Sequence, residues 1–142
     1  MTSKREDIVA EIATQVGNAT GVTTVTREPK ALEELAVTSF PHVLVETANE
    51  VRSHASIGGT PRRVSDLDVL LNINVYGNNR DQNRNTIIDA IETQLELDPT
   101  LNGNCFDCQV TEVSIREIAE SAPFGQAVMV LTVRYFYERG TP

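Results

Sequence analysis

The residues of this chain with the clearest chemical potential are Cys105 and Cys108, a CxxC pair. Such a pair can cycle between thiol and disulfide when it opens a helix, because the helix N-terminus lowers the thiol pKa. Here it opens a predicted strand, where residues three apart point to opposite faces. A structural zinc site needs four ligands, and the other soft donors, His42 and His54, lack the finger spacing. Packing thiols are the favoured interpretation, and metal binding, redox chemistry and a disulfide are the alternatives.

The remaining polar candidates do not form a catalytic constellation either. Asp66 and Asp68 share one face of a predicted strand, a geometry that suits a divalent cation, but alternation places them on its solvent face. His42 begins a strand and is expected to be a partly buried hydrogen-bonding residue, whereas His54 has no assignable partner. The glycine pair at 58–59 lacks the lysine of a phosphate loop, and there is no G-x-S-x-G motif. The sequence predicts no enzyme, no cofactor and no metal.

Length and composition indicate one soluble domain, residues 1–142, with a formal net charge of −8. No apolar run approaches the roughly 20 residues of a membrane span, and the charged N-terminus lacks the apolar core of a signal peptide. We therefore expect a cytosolic product with no membrane contact. Basic residues occur only as scattered pairs such as Arg62 and Arg63, which argues against sustained phosphate binding.

Acidic residues dominate the stretch from Asp89 to Glu120, where Arg116 is the single base. Two interpretations stay open: the carboxylates keep the domain soluble, or some of them line a passage through which DNA slides without binding. The candidates for such an acidic lumen are Asp89, Glu92, Glu96, Glu112 and Glu117.

Two amphipathic helices are predicted. Ser3 and Glu6 have the spacing of a capping box ahead of a helix that ends at Gly17 and Asn18. A second helix covers about 80–97, with a cap at Asn79 and Gln82 and an end imposed by the proline at 99.

Strand patterns fill the rest of the chain. Strands are predicted at 22–27, 42–47 and 67–76, with a long hairpin over 48–65 whose tip, 53–63, projects beyond the sheet. A closing hairpin has a bulge near 111–112, a turn at 121–125 and a return strand over 127–137. The bulge is expected to return Val113 and Ile115 to the buried face. This order predicts an α+β fold, with two helices packed on one face of a mostly antiparallel sheet and a long protruding β-hairpin.

The same order of elements resembles the tail-terminator proteins of long-tailed bacteriophages. The resemblance covers nearly the whole chain as a set of loose motifs. These are the leading helix 8–16 before a strand at 25–27, the proline-led strand 41–46, the alternating strand 67–76 before a helix and the 98–103 stop, and the terminal strand ending at 133–137.

The resemblance implies a structural virion protein at the head-proximal end of a tail, made in the host cytoplasm. It implies a self-associating ring, usually sixfold, that caps the tail tube, stops its growth and docks to the head–tail connector while DNA passes through. A ring needs contacts between unlike surfaces, for which exposed strands are suitable material. The candidate interface residues are His54, Ile57, Gly58, Gly59, Pro61, Arg62 and Arg63 at the hairpin tip, and Val128, Val130 and Phe136 on the terminal strand.

Two other functions stay open. A head-completion, neck or tail-completion protein of the same virion has a similar size and composition. A more distant alternative is a small metal-binding or redox protein that uses Cys105 and Cys108.

Overall fold

The computed structural model of the protein describes residues 3–28, 37–54, 62–77, 79–117 and 124–138. Its helices and strands are, in chain order, α1 (Lys4–Gly17), β1 (Thr24–Thr26), a short 3-10 turn (Val37–Ser39), β2 (His42–His54), β3 (Arg62–Tyr76), α2 (Arg80–Glu96), β4 (Asp107–Glu117) and β5 (Phe124–Glu138).

Helix α1 begins as the sequence predicts, with one change in how its first turn is capped. The Ser3 hydroxyl oxygen accepts a hydrogen bond from the Glu6 backbone amide at 3.2 Å. The Glu6 carboxylate does not return this bond in the manner of a capping box. It accepts two hydrogen bonds, at 2.6 and 3.0 Å, from the Arg27 guanidinium just after β1. Glu6 therefore ties the helix to the chain that follows the first strand.

Helix α2 packs through the predicted apolar face and begins after the predicted N-cap residue, but without the predicted capping bond. Asn79 stands at the N-cap position without a side-chain capping bond. Ile87, Ile88, Ile91 and Leu95 are buried, as their spacing indicates. The sequence did not predict that Arg84, one turn earlier, is 2% exposed.

The five strands form one sheet in the order β1-β2-β3-β5-β4, in which only the β1–β2 pair is parallel. Both helices pack on one face, so the predicted α+β class is confirmed. The core lies between the helices and alternate residues of β3 and β5. Its sheet-side members include Leu67, Val69, Leu71, Ile73, Val75, Ala127, Met129, Leu131, Val133, Tyr135 and Tyr137.

The long hairpin is confirmed as β2 and β3, which pair from His42 opposite Asn74 to His54 opposite Arg63. A register shift interrupts β2 between Thr47 and Glu50. Strand β5 accompanies β3 along its whole length, so the hairpin arm has the neighbour that a two-stranded ribbon needs. Of the predicted projecting tip, 53–63, residues 53–54 and 62–63 belong to paired strands of the sheet, and residues 55–61 lie outside the described residues.

The closing hairpin has the predicted bulge, between Val110 and Glu112, but not the predicted burial beyond it. Val113 and Ile115 pair with buried residues of β5 and share their face, yet they are 39% and 50% exposed. The physical reason is that β4 is the edge strand and α2 covers only part of it. Phe124, expected in the turn, already belongs to β5.

Gly125, the second residue of β5, lies in close packing below α2. A Cβ atom at this position would stand 3.0 Å from Val75 Cγ2 and 3.1 Å from Arg84 Nη1. The absence of a side chain therefore allows the buried Arg84 guanidinium to lie against the sheet.

Candidate functional site

The sheet face opposite the helices, here called the helix-free face, carries the outward residues of β3, β4 and β5. Val128, Val130 and Phe136, predicted as interface residues, lie on this face and are half-buried. Their neighbours across the strands are partly apolar: Val130 lies opposite Leu70. Among the described elements, helices cover only the other face.

Aromatic side chains gather at both ends of the helix-free face. At one end Phe40, Tyr76 and Phe124 form a triad with ring centroids 5.3 to 5.9 Å apart. At the other end Phe106 and Phe136 meet edge to face at 5.5 Å. Such pairs add to the apolar contact area, and aromatic residues are enriched in protein interfaces.

Arg62, another predicted interface residue, lies at this second end. Its guanidinium carbon stands 4.4 Å from the centre of the Phe136 ring, in a cation–π contact. Two predicted interface residues from different strands thus form one small surface with Phe106, which is 64% exposed.

The middle of the helix-free face is acidic. Asp66 and Asp68 lie on it, as the alternation predicts, and each has a partner on β5. Arg134 donates two hydrogen bonds to Asp66 at 2.8 and 3.1 Å, and the Thr132 hydroxyl donates to Asp68 at 3.2 Å. The Arg134 guanidinium lowers the pKa of the Asp66 carboxyl.

Three more carboxylates belong to the same face, because they pair in register with its residues: Glu46, Asp107 and Glu112. Among the described side chains, the carboxylates outnumber the guanidinium groups of Arg62 and Arg134. The described residues contain no group of three or more metal-ligating side chains that could hold an ion. The face is therefore negatively charged and has no metal site within that part of the chain.

The proposed lumen residues divide between the two sides of the sheet. Asp89, Glu92 and Glu96 are exposed on α2, on the helix side. Glu112 is exposed on the helix-free face, and Glu117 ends β4 with a side chain outside the description. The structure thus separates two acidic surfaces that the sequence presents as one stretch.

A second polar cluster, which the sequence analysis did not identify, surrounds Glu50 on the helix side of β2. The Glu50 carboxylate is 11% exposed and accepts hydrogen bonds from Arg5 at 2.8 and 3.2 Å, Arg52 at 2.6 Å and the Tyr135 hydroxyl at 2.6 Å. Burial by itself raises the pKa of Glu50, but these hydrogen bonds outweigh it and lower the pKa to about 2. Arg52 also lies over the Tyr137 ring at 4.8 Å. Two guanidinium groups around one carboxylate leave this part of β2 positively charged.

The cysteines behave as packing thiols. Cys108 is buried, Cys105 is half-buried, and neither forms a disulfide. Burial, followed by nearby acidic groups, raises the pKa of Cys105 to about 12, and burial raises that of Cys108 to about 12. Neutral thiols are poor nucleophiles and poor metal ligands. The weaker contributions to the raised Cys108 pKa are the charges of Cys105, Asp107 and Glu96.

The other predicted residues are partly described. His42 is 2% exposed, and its Nε2 lies 2.9 Å from the Thr26 hydroxyl, as expected for a hydrogen-bonding residue. Arg63 is half-buried on β3 opposite Tyr137. His54 ends β2, but its side chain is not described. The other predicted tip residues, Ile57, Gly58, Gly59 and Pro61, lie outside the described residues.

One signal in the sequence points to the Glu50 cluster. The alternation of β5 places Tyr135 and Tyr137 on the buried face, and a buried tyrosine hydroxyl needs a partner. The irregularity of β2 between Thr47 and Glu50 conceals which residue supplies it. No comparable signal indicates the triad around Phe40, because its three members come from distant parts of the chain.

No helix of the described residues is long and apolar enough to cross a membrane. No protein-family model matches the sequence, and the search of curated proteins finds no match either. Solved structures do match, among them a chain of the "Virion of native gene transfer agent (GTA) particle". That match has a TM-score of 0.50 and 11% sequence identity, and it covers 91% of this chain and 94% of the other. At this identity the similarity shows that the two chains share a fold.

Proposed function

We propose that this protein is a structural component of a phage-like virion, and within the virion a tail terminator. In this role it forms a homomeric ring, sixfold in the usual case, that caps the tail tube, stops its growth and docks to the head–tail connector. The observation that carries the proposal is the fold shared over nine-tenths of the chain with a protein of a virion particle. The order of elements, which resembles tail terminators, supports the finer assignment.

The chemistry of the described residues agrees with an assembly role. The two thiols that a redox or metal-binding protein would use are held neutral by burial. The polar groups with the strongest interactions form internal pairs, such as Arg134 with Asp66 and Arg5 with Glu50. Exposed aromatic and aliphatic side chains, in contrast, lie on an uncovered sheet face and its edges.

The acidic helix-free face supports a passage for DNA without specific binding. A surface rich in carboxylates repels phosphates, so a duplex can move past it without being retained. We assign the lining of the passage to the helix-free face, with Glu112 and Asp68 among its residues. Asp89, Glu92 and Glu96 then belong to the side that carries the helices.

The decisive experiment is native mass spectrometry of the purified chain, with negative-stain imaging of the dominant species. It is followed by addition of the chain to polymerising tail-tube protein of the same virion. The proposal expects a ring with a central hole and tubes whose growth stops at a ring-capped end. A ring that binds the connector but leaves tube growth unchanged would refute the terminator role and favour a neck or head-completion protein.

A further inference from the structure

The sheet has open strand edges on both of its sides. Strand β4 pairs with β5 alone, so its outer edge has no strand partner among the described residues. On the other side, β1 pairs only with His42, Val43 and Leu44 at the start of β2. From Val45 to His54, β2 therefore has no outer strand partner among the described residues. Unpaired backbone groups along such edges favour pairing with another chain.

The directions of these two edges are compatible with each other. Strand β2 is antiparallel to β3, β3 to β5, and β5 to β4, so β4 runs opposite to β2. Rotation of one copy about an axis along the strands can therefore bring its β4 against β2 of the next copy as an antiparallel pair. The helices of both copies remain on the same side of the joined sheet. Such a contact joins unlike surfaces, which is the type that closes a ring.

Exposed apolar side chains also lie at the two edges. Val113 and Ile115 on β4 are 39% and 50% exposed, and Val51 on β2 is 62% exposed. These are three of the six large hydrophobic residues that the described part of the chain exposes. An edge strand that stays monomeric usually carries charges, proline or a covering segment at such positions.

The charges beside the two edges are complementary on the helix side of the sheet. Glu92 and Glu96 are exposed on α2, and α2 packs against β4 as well as against β3 and β5. Arg5 and Arg52 flank the open part of β2. Their two positive charges exceed the single negative charge of Glu50, which lies between them. The acidic edge of one copy would thus meet the basic edge of the next.

We propose that the protein assembles with itself by adding β4 of one copy, antiparallel, to the open part of β2 in the next copy. The sheet then continues from subunit to subunit, with acidic α2 beside the arginines of the neighbour. This inference deepens the proposed function and rests on it for the closure of the contacts into a ring. It excludes β5 as the pairing strand, because β5 lies inside the sheet between β3 and β4.

The test uses two variants, each blocked at one edge. One carries Val113→Lys and Ile115→Lys on β4, and the other carries Val51→Glu on β2, so that each change repels the charge of the edge it would meet. Val51 lies on the helix-free face and Val113 and Ile115 on the helix side, so the two changes cannot pair with each other in a mixture. All three positions are exposed, so the fold should tolerate the change, which circular dichroism checks. Leu97→Gln is the control for loss of an exposed apolar side chain, because Leu97 is 73% exposed just after α2 and the change adds no charge beside Glu96. Self-association is measured by native mass spectrometry and sedimentation, in solution and with tail tube present.

Each edge variant alone should associate at least about tenfold more weakly than the wild type, and the Leu97 control should not. A mixture of the two variants should form a one-to-one heterodimer and nothing larger. The β4 variant contributes an intact β2 edge and the β2 variant an intact β4 edge, so a single contact can form between them. A mixture that stays monomeric, or a β2 variant that still dimerises alone, would overturn the inference.

The two proposals fail in distinguishable ways. If both edge variants form the wild-type ring, the edge contact is refuted and the terminator role stands. If the mixture forms the heterodimer but the wild-type ring does not stop tube growth, the edge contact stands and the terminator role is refuted. A wild-type chain that does not associate with itself in solution or on the tube overturns the edge contact.

Discussion

Replacing Glu50 by glutamine is expected to destabilise the fold substantially at neutral pH. The Glu50 carboxylate has a pKa of about 2, against an ordinary value of 4.5, because three side chains hold it in the charged form despite its burial. A tenfold change in proton affinity is about 1.4 kcal/mol, so the difference between these pKa values corresponds to about 3 kcal/mol. The variant also leaves two guanidinium groups without their carboxylate, which acts in the same direction.

The sign of the pH dependence follows from the lowered pKa of Glu50. The unfolded chain binds this proton more tightly than the folded chain, so stability increases with pH between about 2 and 4.5. The contribution is complete above pH 4.5 and is lost as the pH falls towards 2. The wild type should therefore lose stability on acidification, whereas Glu50→Gln, which cannot titrate there, should lose less. The two free energies of unfolding are expected to converge in acid.

The assay is urea denaturation followed by circular dichroism, from about pH 7 down to about pH 3. The matched control is Glu6→Gln, because Glu6 also binds an arginine but its side chain is 44% exposed. An exposed pair of this kind contributes less than about 1 kcal/mol. If Glu50→Gln costs no more than Glu6→Gln, or if its difference from the wild type stays constant on acidification, the reasoning about the Glu50 cluster is wrong.

Three further predictions concern packing, thiol reactivity and charge. Gly125→Ala should destabilise the fold by about 1 to 3 kcal/mol in urea denaturation, because the new Cβ would lie only 3.0 Å from Val75 Cγ2. Gly17→Ala is the control and should have little effect, because its Cβ would make an ordinary 3.7 Å contact with Val25. Equal effects of the two changes would contradict this prediction. Cys105 and Cys108 should react with a thiol reagent only slowly in the native state, since burial raises the pKa of each to about 12, and rapid labelling of folded protein would refute that. Asp68→Lys, on the inner strand β3, should give the assembled ring a salt-dependent retention of duplex DNA in a mobility-shift assay, while the wild type shows none. Retention by the wild type at moderate salt would refute the repulsive passage.

The elements with strong periodic patterns could be predicted from the sequence, and the reason is burial. The alternation over 67–76 and 127–137 reflects strands whose helix side is fully buried, and the spacing of Ile87, Ile88, Ile91 and Leu95 reflects one buried helix face. The bulge near Thr111 was also predictable, because the apolar residues change parity there. These features depend on local sequence and on a single buried surface.

The failures arise where a residue depends on its position within the whole sheet. Val113 and Ile115 have the pattern of buried residues but lie on an edge strand, and sequence alone did not show that β4 is an edge. Glu50 follows an irregularity in β2 that reverses the parity, so its buried partners could not be read from spacing. The lumen candidates were grouped by their closeness in sequence, although the sheet lies between Glu112 and the acids of α2.

The distribution of aromatic residues supports a function for the helix-free face that stability does not explain. The chain has four phenylalanines and three tyrosines, and only Tyr135 and Tyr137 belong to the core below the helices. Phe40, Phe106, Phe124, Phe136 and Tyr76 are all half-buried or exposed. A fold that needed large apolar groups for its own stability would place them in the core, which here is almost entirely aliphatic. Because exposed aromatic side chains are typical anchors of protein interfaces, we expect partner contacts at both ends of the acidic face.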